Sequence, residues 1–480
     1  MEKCKRVETP LPEAIIHLIQ SFLSEEEAAR TTLVSKSWYN AWLTRPVLVL
    51  RNLHWRSSAA VFWRFTVKTM RRYQDSNLKI ESLRLKIQGC RRSFEPLAHK
   101  LIVDAMKLGA TDLKIEFFTF VLPPEVLRSE SLLRLSVSGC EIDGNVNCSM
   151  LKSLSLDSVL LKSDDMLRII TSCCNSIEEL SLSNSFFSNQ RILLSGTNLH
   201  ELHKLKRLYL EMVDVDKSFF DDLESRFPCL EDMSLVNCHG YRQIWVASSS
   251  LQRINIEQPV NVLIGKFKVP ILAVFSYSGV GIPSLSIDAR DEWESHISIE
   301  RHHFRISSSW YRDLHKRLTQ LSLSRINLTI KIVGSRPCTK RIAGVYNVHV
   351  VGEPVAVENM KLEAKYDAGC ILRCLFCICR PKLVTHCWLD RECGKKSDDH
   401  SLESLCEKLM GPKRDRNMFE RFDLKEGQME VYEEDEAEWR PLLLQDAIRA
   451  PPMGRKLRST LSCVLKWKSA NESKPNCRKL

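Results

Sequence analysis

The sequence predicts an α/β fold in which a short helical segment precedes a solenoid, that is, a curved parallel β-sheet with helices on its convex side. An apolar pattern of the form L-x-x-L-x-L occurs eight times between residues 80 and 256, with 19 to 30 residues between successive central positions. Amphipathic helical patterns lie between several of these copies. The hydrophobic fraction of 44% and the charged fraction of 27% are typical of a globular protein rather than a disordered chain.

The segment from Leu11 to Leu50 predicts three short helices. Pro12 is suited to a first helical position, and apolar residues then follow at helical spacing on one side of the first helix. These residues are Ile15, Ile16, Ile19, Phe22 and Leu23. Ser24 and Glu27 have the spacing of a capping box, which predicts that the second helix begins at Glu25.

The second and third helices add more apolar side chains than so short a segment can bury. Ala28, Ala29 and Leu33 belong to the second helix, and Val34, Trp38 and Trp42 to the third. Pro46 ends the third helix. The surplus predicts an apolar surface that a permanent partner covers. The residues predicted to form it are Leu11, Pro12, Ile15, Ile19, Leu33, Val34, Trp38 and Trp42.

A linker helix and the repeats follow. The linker helix carries Val61, Phe62, Phe65, Met70 and Tyr73 on its apolar side. The eight copies of the pattern are Ile80-Leu83-Leu85, Ala110-Leu113-Ile115, Leu132-Leu135-Val137, Leu151-Leu154-Leu156, Ile177-Leu180-Leu182, Leu205-Leu208-Leu210, Leu230-Met233-Leu235 and Leu251-Ile254-Ile256. Their interval is that of leucine-rich repeats, in which each strand turns alternate residues inward. Helices are predicted between strands at Pro96 to Leu108, Asp164 to Cys173 and Lys217 to Arg226.

The pattern becomes irregular after Ile256. Further strands are predicted at Pro270 to Tyr277, Leu285 to Ile287, Leu318 to Leu323, Val345 to Val350 and Met360 to Leu362. His296 to Arg317 is rich in His, Arg and Ser and is predicted to be an exposed excursion. A closing strand is predicted at Ser462 to Lys468, in a C-terminal block that caps the last repeat.

Several of these motifs together resemble the plant F-box/leucine-rich-repeat (F-box/LRR) family. The resemblance is carried by Leu11-Pro12-Glu13, Ala28 to Arg30, Val34 to Trp42, Leu122 to Cys140 and Ile177 to Leu180. It implies an F-box domain at residues 1–50, a linker helix at 51–79, a repeat domain at 80–365 and a C-terminal capping region at 366–480.

The resemblance also implies a function. The F-box would bind a Skp-type adaptor and through it a cullin-RING ubiquitin ligase, while the repeats bind a target protein for ubiquitination. The chain itself would perform no chemistry. Two alternatives remain open at this point, namely a stand-alone repeat scaffold and a receptor that senses a small ligand.

The strand period predicts which side chains face a target. Residues that alternate with the buried leucines point to the opposite face of the sheet. The predicted contact residues are Arg84, Lys86, Lys114, Arg134, Arg207, Tyr209 and Arg253. Their charge favours an acidic or phosphorylated segment, because arginine binds carboxylate and phosphate through paired hydrogen bonds. The alternative is that these charges only keep an exposed sheet soluble.

Other features predict little additional chemistry. Cys374 and Cys377 have the spacing of half a zinc site, but with Cys370 they also lie on one face of a helix, and His386 and Cys393 complete a zinc set poorly. We find no catalytic motif and expect no cofactor. The scattered net charge of +11 does not favour nucleic acid, and no apolar run has the length of a membrane span. A cytosolic or nuclear protein with free thiols is expected.

Overall fold

The computed structural model describes residues 11–23, 25–52, 59–88, 94–162, 166–184, 192–195, 199, 201–258, 264–290, 292–302, 307–333, 352–364, 368–387, 424–433, 438–441 and 459–467. The chain forms two compact units. The first comprises residues 1–219 and 225–230, and the second comprises residues 220–224 and 231–480. Both contain parallel strands and helices, so the predicted α/β class is confirmed.

The described helices alternate with strands along much of the chain. The helices are α1 (Glu13–Ser21), α2 (Glu25–Thr31), α3 (Lys36–Thr44), α4 (Ala59–Asp75), α5 (Glu95–Lys107), α6 (Pro124–Leu127), α7 (Met166–Cys173), α8 (Leu223–Arg226), α9 (Ser308–Gln320) and α10 (Ala368–Phe376). The strands are β1 (Val47–Arg51), β2 (Ser82–Ile87), β3 (Asp112–Val121), β4 (Arg134–Ile142), β5 (Ser153–Asp157), β6 (Leu160–Leu161), β7 (Glu179–Ser183), β8 (Leu193–Leu194), β9 (Arg207–Glu211), β10 (Asp214–Val215), β11 (Asp232–Val236), β12 (Gln243–Ala247), β13 (Arg253–Gln258), β14 (Ile264–Lys268), β15 (Val274–Gly279), β16 (Ser284–Asp288), β17 (Glu294–His302), β18 (Arg325–Val333), β19 (Val355–Ala364), β20 (Cys379–Cys387), β21 (Leu424–Glu433), β22 (Glu438–Pro441) and β23 (Ser459–Trp467).

The first unit is built on the parallel strands β1, β2, β3, β4, β5, β7 and β9, which pair in that order. Their buried residues form two ladders across the sheet. One ladder runs through Leu48, Leu83, Leu113, Leu135, Leu154, Leu180 and Leu208, and the other through Leu50, Leu85, Ile115, Val137, Leu156, Leu182 and Leu210. All of these side chains are buried, so the inward direction predicted for the repeat leucines is confirmed.

Strand β1 is an addition to the predicted fold. Val47 to Arg51 lies at the end of the segment for which only helices were predicted, and it pairs in parallel with β2. Its buried residues Leu48 and Leu50 extend both apolar ladders by one strand. The sheet therefore begins before the linker helix, and α4 is the connection between its first two strands.

Tyr73 joins α4 to the residues that precede β1. Its ring is fully buried, and its hydroxyl donates a hydrogen bond to the Arg45 carbonyl oxygen at 2.8 Å. Replacing Tyr73 with phenylalanine keeps the ring but removes this bond. We expect the free energy of unfolding of the first unit to fall by about 1 kcal/mol, as measured by urea unfolding. Tyr39→Phe is the matched control, because Tyr39 is exposed. Equal unfolding midpoints for the two variants would contradict the assigned role.

The second unit contains a parallel sheet in the order β11, β13, β15, β17, β18, β19 and β20. Strand β23 pairs with β20 in the antiparallel direction, and β21 and β22 continue from β23. The predicted closing strand thus covers the hydrogen-bonding edge of β20, which an open parallel sheet would leave free. A smaller parallel sheet contains β12, β14 and β16.

Two predictions between residues 296 and 323 are wrong. The predicted strand Leu318 to Leu323 is replaced by the end of helix α9 and the turn that follows it, and the predicted excursion from His296 to Arg317 contains β17 and most of that helix. Ser307 caps α9 by accepting a hydrogen bond from the Trp310 amide at 3.3 Å. The helix buries Trp310, Tyr311, Leu314, His315 and Leu318, whose spacing of three and four residues is helical.

The helix predicted from Lys217 to Arg226 is also wrong in its extent. The structure contains a 3-10 turn at Lys217–Phe219 and the single turn α8. Asp222 lies between them with a φ of 52°, a left-handed conformation that a continuous α-helix excludes. The strand predicted from Val345 to Val350 lies outside the described residues.

The cysteine-rich segment forms a helix and a strand. Cys374 is buried on α10, and Cys379 is buried at the start of β20. Burial raises the pKa of the Cys379 thiol to about 12, so the free thiol is protonated at neutral pH. Among the described residues no group of three or more His, Cys, Asp or Glu side chains could hold a metal ion, and Cys393 lies outside them. No described helix is long and apolar enough to cross a membrane.

Candidate interaction surfaces

The first candidate surface is built on helices α1 to α3. Ile16 is only 1% exposed and packs inward with Ala28 and Ala41. The buried side-chain amide of Gln20 donates to Thr31 Oγ1 at 3.0 Å and to the Trp38 carbonyl oxygen at 3.3 Å. One side chain of α1 is therefore bonded to α3 and to the last residue of α2, which fixes the ends of α1 and α2 near each other.

A stripe of exposed apolar side chains lies on the outer side of α1 and continues into the residues that flank this helix. The stripe consists of Leu11, Ile15, Leu18 and Phe22, whose spacing of four, three and four residues is that of one helix face. Leu33 and Val34 are exposed in the turn between α2 and α3. Phe22 and Leu33, at 81% and 88% exposed, each lie two residues beyond the Gln20–Thr31 hydrogen bond. We call these six residues the apolar surface.

The structure divides the eight residues predicted for this surface into two groups. Leu11, Pro12, Ile15, Leu33 and Val34 are exposed, whereas Ile19, Trp38 and Trp42 are half-buried. The Trp42 ring also lies 5.3 Å from the Arg45 guanidinium, in a cation–π contact.

Sequence reasoning missed Leu18, Phe22 and Tyr39 as exposed apolar residues. It placed Ile15, Ile16 and Phe22 on one side of the helix, but Ile16 is buried, whereas Ile15 in α1 and Phe22 just after it are exposed. The regular spacing from Leu11 to Phe22 is the signal that could have separated these two faces.

The second candidate surface is the polar face of the sheet in the first unit. Residues that alternate with the buried ladders form three rows across β2, β3, β4, β5, β7 and β9. The first row is Ser82, Asp112, Arg134, Ser153, Glu179 and Arg207. The central row is Arg84, Lys114, Ser136, Ser155, Ser181 and Tyr209, and the third row is Lys86, Glu116, Ser138, Asp157, Ser183 and Glu211.

A groove of about 320 Å³ lies on this face. It is lined by Arg84, Asp112, Lys114, Arg134, Leu135, Ser136, Ser153 and Ser155. The groove brings together three of the predicted contact residues, namely Arg84, Lys114 and Arg134. Arg134 is partly neutralised, because its Nε lies 3.4 Å from Asp112 Oδ2. Arg84 has no carboxylate partner among the residues that the structure describes.

Lys86 lies in the third row, outside the groove lining, and forms an ion pair with Glu116. Glu116 also lies 3.3 Å from the Lys114 ammonium. Burial alone would raise the pKa of Glu116, but the hydrogen bonds and charges of Lys86 and Lys114 lower it below its ordinary value. The carboxylate is therefore ionised at neutral pH, and its negative charge partly neutralises both lysines.

The remaining predicted contact residues do not line the groove. Arg207 forms an ion pair with Glu179, and the Tyr209 hydroxyl donates to Glu211 Oε2 at 2.9 Å. Arg253 belongs to the second unit, where its Nε donates to Asp232 Oδ2 at 2.9 Å. Each of these side chains is thus held by a carboxylate, and for Arg207 and Arg253 it comes from the register-matched residue of a neighbouring strand.

Sequence reasoning missed Asp112, the carboxylate in the groove lining. Asp112 is opposite Arg134 in the parallel register, and each residue comes immediately before the first buried leucine of its strand. Once the strands are aligned by their repeat pattern, an acidic and a basic residue at this same position therefore indicate an ion pair between neighbouring strands.

Comparison with known proteins gives several relatives in Arabidopsis thaliana. An F-box/LRR-repeat protein is 29% identical over 197 residues, which cover 38% of this chain and 30% of the relative. An F-box/FBD/LRR-repeat protein is 27% identical over 231 residues, 45% of this chain and 44% of the relative. A third, also an F-box/LRR-repeat protein, is 29% identical over 211 residues, 40% of this chain and 62% of the relative. The chain thus spans less than two thirds of the length of each of these relatives. No family model matches the sequence.

Proposed function

The chain belongs to the plant F-box/LRR family, and on that premise we propose that it is the substrate-recognition subunit of a Skp/cullin/F-box ubiquitin ligase. In this proposal helices α1 to α3 are the F-box and bind a Skp-type adaptor. The polar face of the sheet in the first unit binds the target protein. The chain carries out no chemistry itself, because the transfer of ubiquitin belongs to the other subunits of the ligase.

The observation that supports this proposal is the exposure of the apolar surface. Phe22 and Leu33 lie almost entirely in solvent, although burying a side chain of this size stabilises a protein or complex by about 1.5–3 kcal/mol. Ile16, Ala28 and Ala41 already fill the inner side of the three helices. A set of large apolar side chains on a small helical segment with its own core is typical of a surface that a partner covers.

The target-binding half of the proposal rests on the three rows. Their side chains are exposed or half-buried apart from Ser82, and each row offers charged or hydroxyl groups at intervals fixed by the strands. Neighbouring strands lie about 4.8 Å apart, and residues two positions apart on one strand lie about 6.8 Å apart. The face is therefore a regular array of hydrogen-bonding groups on a rigid support, which suits recognition of an extended segment of another protein.

Capture of a plant Skp-type adaptor tests the proposal. Co-expression of the full chain with the adaptor should yield a complex, and replacing both Leu11 and Pro12 with alanine should reduce the captured adaptor at least tenfold. The reason is that apolar anchors at the centre of an interface contribute about 1–4 kcal/mol each. Leu323→Ala is the control, because Leu323 is equally apolar, 84% exposed and remote in sequence.

The outcomes separate two functions. Loss of capture in the double variant, with circular dichroism unchanged and capture by the Leu323 variant intact, supports the ligase subunit. Equal capture by all three proteins would show that Leu11 and Pro12 do not contact the adaptor. A folded chain that captures no adaptor at all would instead favour a stand-alone repeat scaffold.

A further inference from the structure

We propose that the groove on strands β2 to β5 binds a phosphate monoester, and that its occupant is a phosphorylated serine or threonine of the target protein. The inference rests on the proposed function, since it names the substrate class of the same sheet face. It is carried by the arrangement of charge in the three rows, by the state of Arg84 and by the hydroxyl groups that line the groove.

The central row differs from its two neighbours because it contains no carboxylate across the six strands. It begins with two adjacent cations, Arg84 and Lys114, and continues with hydroxyl groups. The first row contains Asp112 and Glu179, and the third row contains Glu116, Asp157 and Glu211. The carboxylates of the first row are offset by Arg134 and Arg207, whereas the third row is negative on balance. An anion is therefore favoured over the start of the central row, on the side that faces Arg134.

Three cationic side chains line the groove, and neighbouring carboxylates neutralise their charges to different extents. Arg84 has no carboxylate partner in the described part of the chain, so its full charge is available. Arg134 uses Nε towards Asp112, and a guanidinium has further N–H groups that can still donate. Lys114 shares its charge with Glu116 at 3.3 Å. Two guanidinium groups and one ammonium can thus donate to a single phosphate from several sides.

Hydroxyl groups complete the lining. Ser136 and Ser155 are neighbours in the central row, and Ser153 lies beside Ser155 on β5 and donates to Glu179 Oε2 at 3.2 Å. A phosphate dianion offers three acceptor oxygens, and the Ser136 and Ser155 hydroxyl groups can donate to those that the cations leave free. The groove volume of about 320 Å³ is at the lower end of the range for ligand sites, about 300–1,000 Å³. It therefore suits a phosphorylated side chain together with the adjoining peptide.

The surrounding carboxylates select against other acidic ligands. Asp112 and Glu116 flank Lys114 in its own strand, and Glu116 is held in the ionised state by two lysines. A peptide whose negative charge is spread over several aspartates or glutamates places some of that charge against these groups. A phosphoserine concentrates about −1.5 to −2 charges beside Arg84, Lys114 and Arg134 and places no further charge along the flanking positions.

Binding of degenerate peptide libraries to the full chain tests the proposal. One library carries phosphoserine at a fixed central position, the second carries serine there, and the third carries glutamate. Fluorescence anisotropy with the phosphoserine library is expected to show at least tenfold tighter binding than with either other library. The preference should fall as the pH drops below about 6, where phosphoserine loses its second negative charge.

Variants assign the preference to the groove. Arg84→Gln combined with Lys114→Gln should reduce phosphoserine binding at least tenfold, and Arg84→Lys should keep only part of the preference because lysine cannot donate in the paired geometry. Arg325→Gln is the matched control, because Arg325 is an exposed strand residue of the second unit whose carboxylate partner, Glu294, lies 3.1 Å away. Similar affinities for the three libraries, or a double variant that binds like the parent, would overturn the proposal.

Inorganic phosphate distinguishes the source of the phosphate group. The proposal expects it to compete only at concentrations at least a hundredfold above the phosphopeptide, because the peptide adds contacts along the rows. Equal potency of inorganic phosphate would contradict a protein ligand.

Adaptor capture measured on the same preparations distinguishes a failure of the phosphoserine inference from a failure of the ligase assignment. Intact capture without a phosphoserine preference refutes only this inference, whereas a phosphoserine preference without capture refutes only the ligase assignment.

Discussion

Replacing Ile16 with alanine is expected to lower the free energy of unfolding of helices α1 to α3 by about 2–5 kcal/mol. Ile16 is 1% exposed and packs in the small core that also contains Ala28 and Ala41. A segment of this size has few other apolar side chains with which to fill the resulting cavity. The loss should appear as faster amide exchange throughout the three helices at neutral pH.

Ile15 provides a control of the same residue type at the adjacent position. It is 43% exposed, so Ile15→Ala should change the free energy of unfolding by less than about 0.5 kcal/mol. The same substitution should weaken adaptor binding, because Ile15 belongs to the apolar surface. Equal destabilisation by the two substitutions would show that α1 does not separate a buried face from an exposed one.

Replacing Phe22 and Leu33 together with alanine is expected to weaken adaptor binding at least a hundredfold, as measured by isothermal titration calorimetry. Each side chain is more than four-fifths exposed, and an interface anchor that is truncated typically costs about 2 kcal/mol or more. Because about 1.4 kcal/mol corresponds to a factor of ten, two such losses exceed a factor of a hundred. Stability should not change, since neither residue contributes to the core.

The control for this variant replaces Leu193 and Leu323, which are also exposed leucines but lie outside the three helices. It should bind the adaptor as the parent does. If the Phe22 and Leu33 variant retained the parental affinity, the adaptor contact would have to lie elsewhere on the chain. If both double variants lost affinity, the effect would be attributed to general loss of apolar surface.

The repeat strands could be predicted because a strand has a period of two residues. In L-x-x-L-x-L the last two leucines must share a face, and stacking of successive copies aligns them, as in the ladder from Leu48 to Leu208. Helix α9 could not be predicted in the same way. Leu318, Leu321 and Leu323 alone match the strand pattern of the repeats. The helix becomes evident only from Trp310 and Leu314, which precede Leu318 at intervals of four residues and are buried on the same side of α9.

The candidate surfaces were predictable in part for the same reason. Strand alternation placed Arg84, Lys114 and Arg134 on one face, and the groove brings these three together. Alternation within a strand gives no information about the neighbouring strand, so the pairing of Arg134 with Asp112 and of Arg207 with Glu179 required the register. On α1 the helical period was recognised, but the inward direction depends on where α2 and α3 pack, which Gln20 and Ala41 determine.

The most direct test of the account is hydrogen–deuterium exchange of the full chain with and without an excess of a plant Skp-type adaptor. The account predicts added protection in peptides that cover residues 11–23 and 31–44, where the apolar surface lies, and no change in peptides that cover β15. Unchanged exchange in α1 and in the turn at Leu33 under conditions where the adaptor is bound would contradict the assignment of this surface.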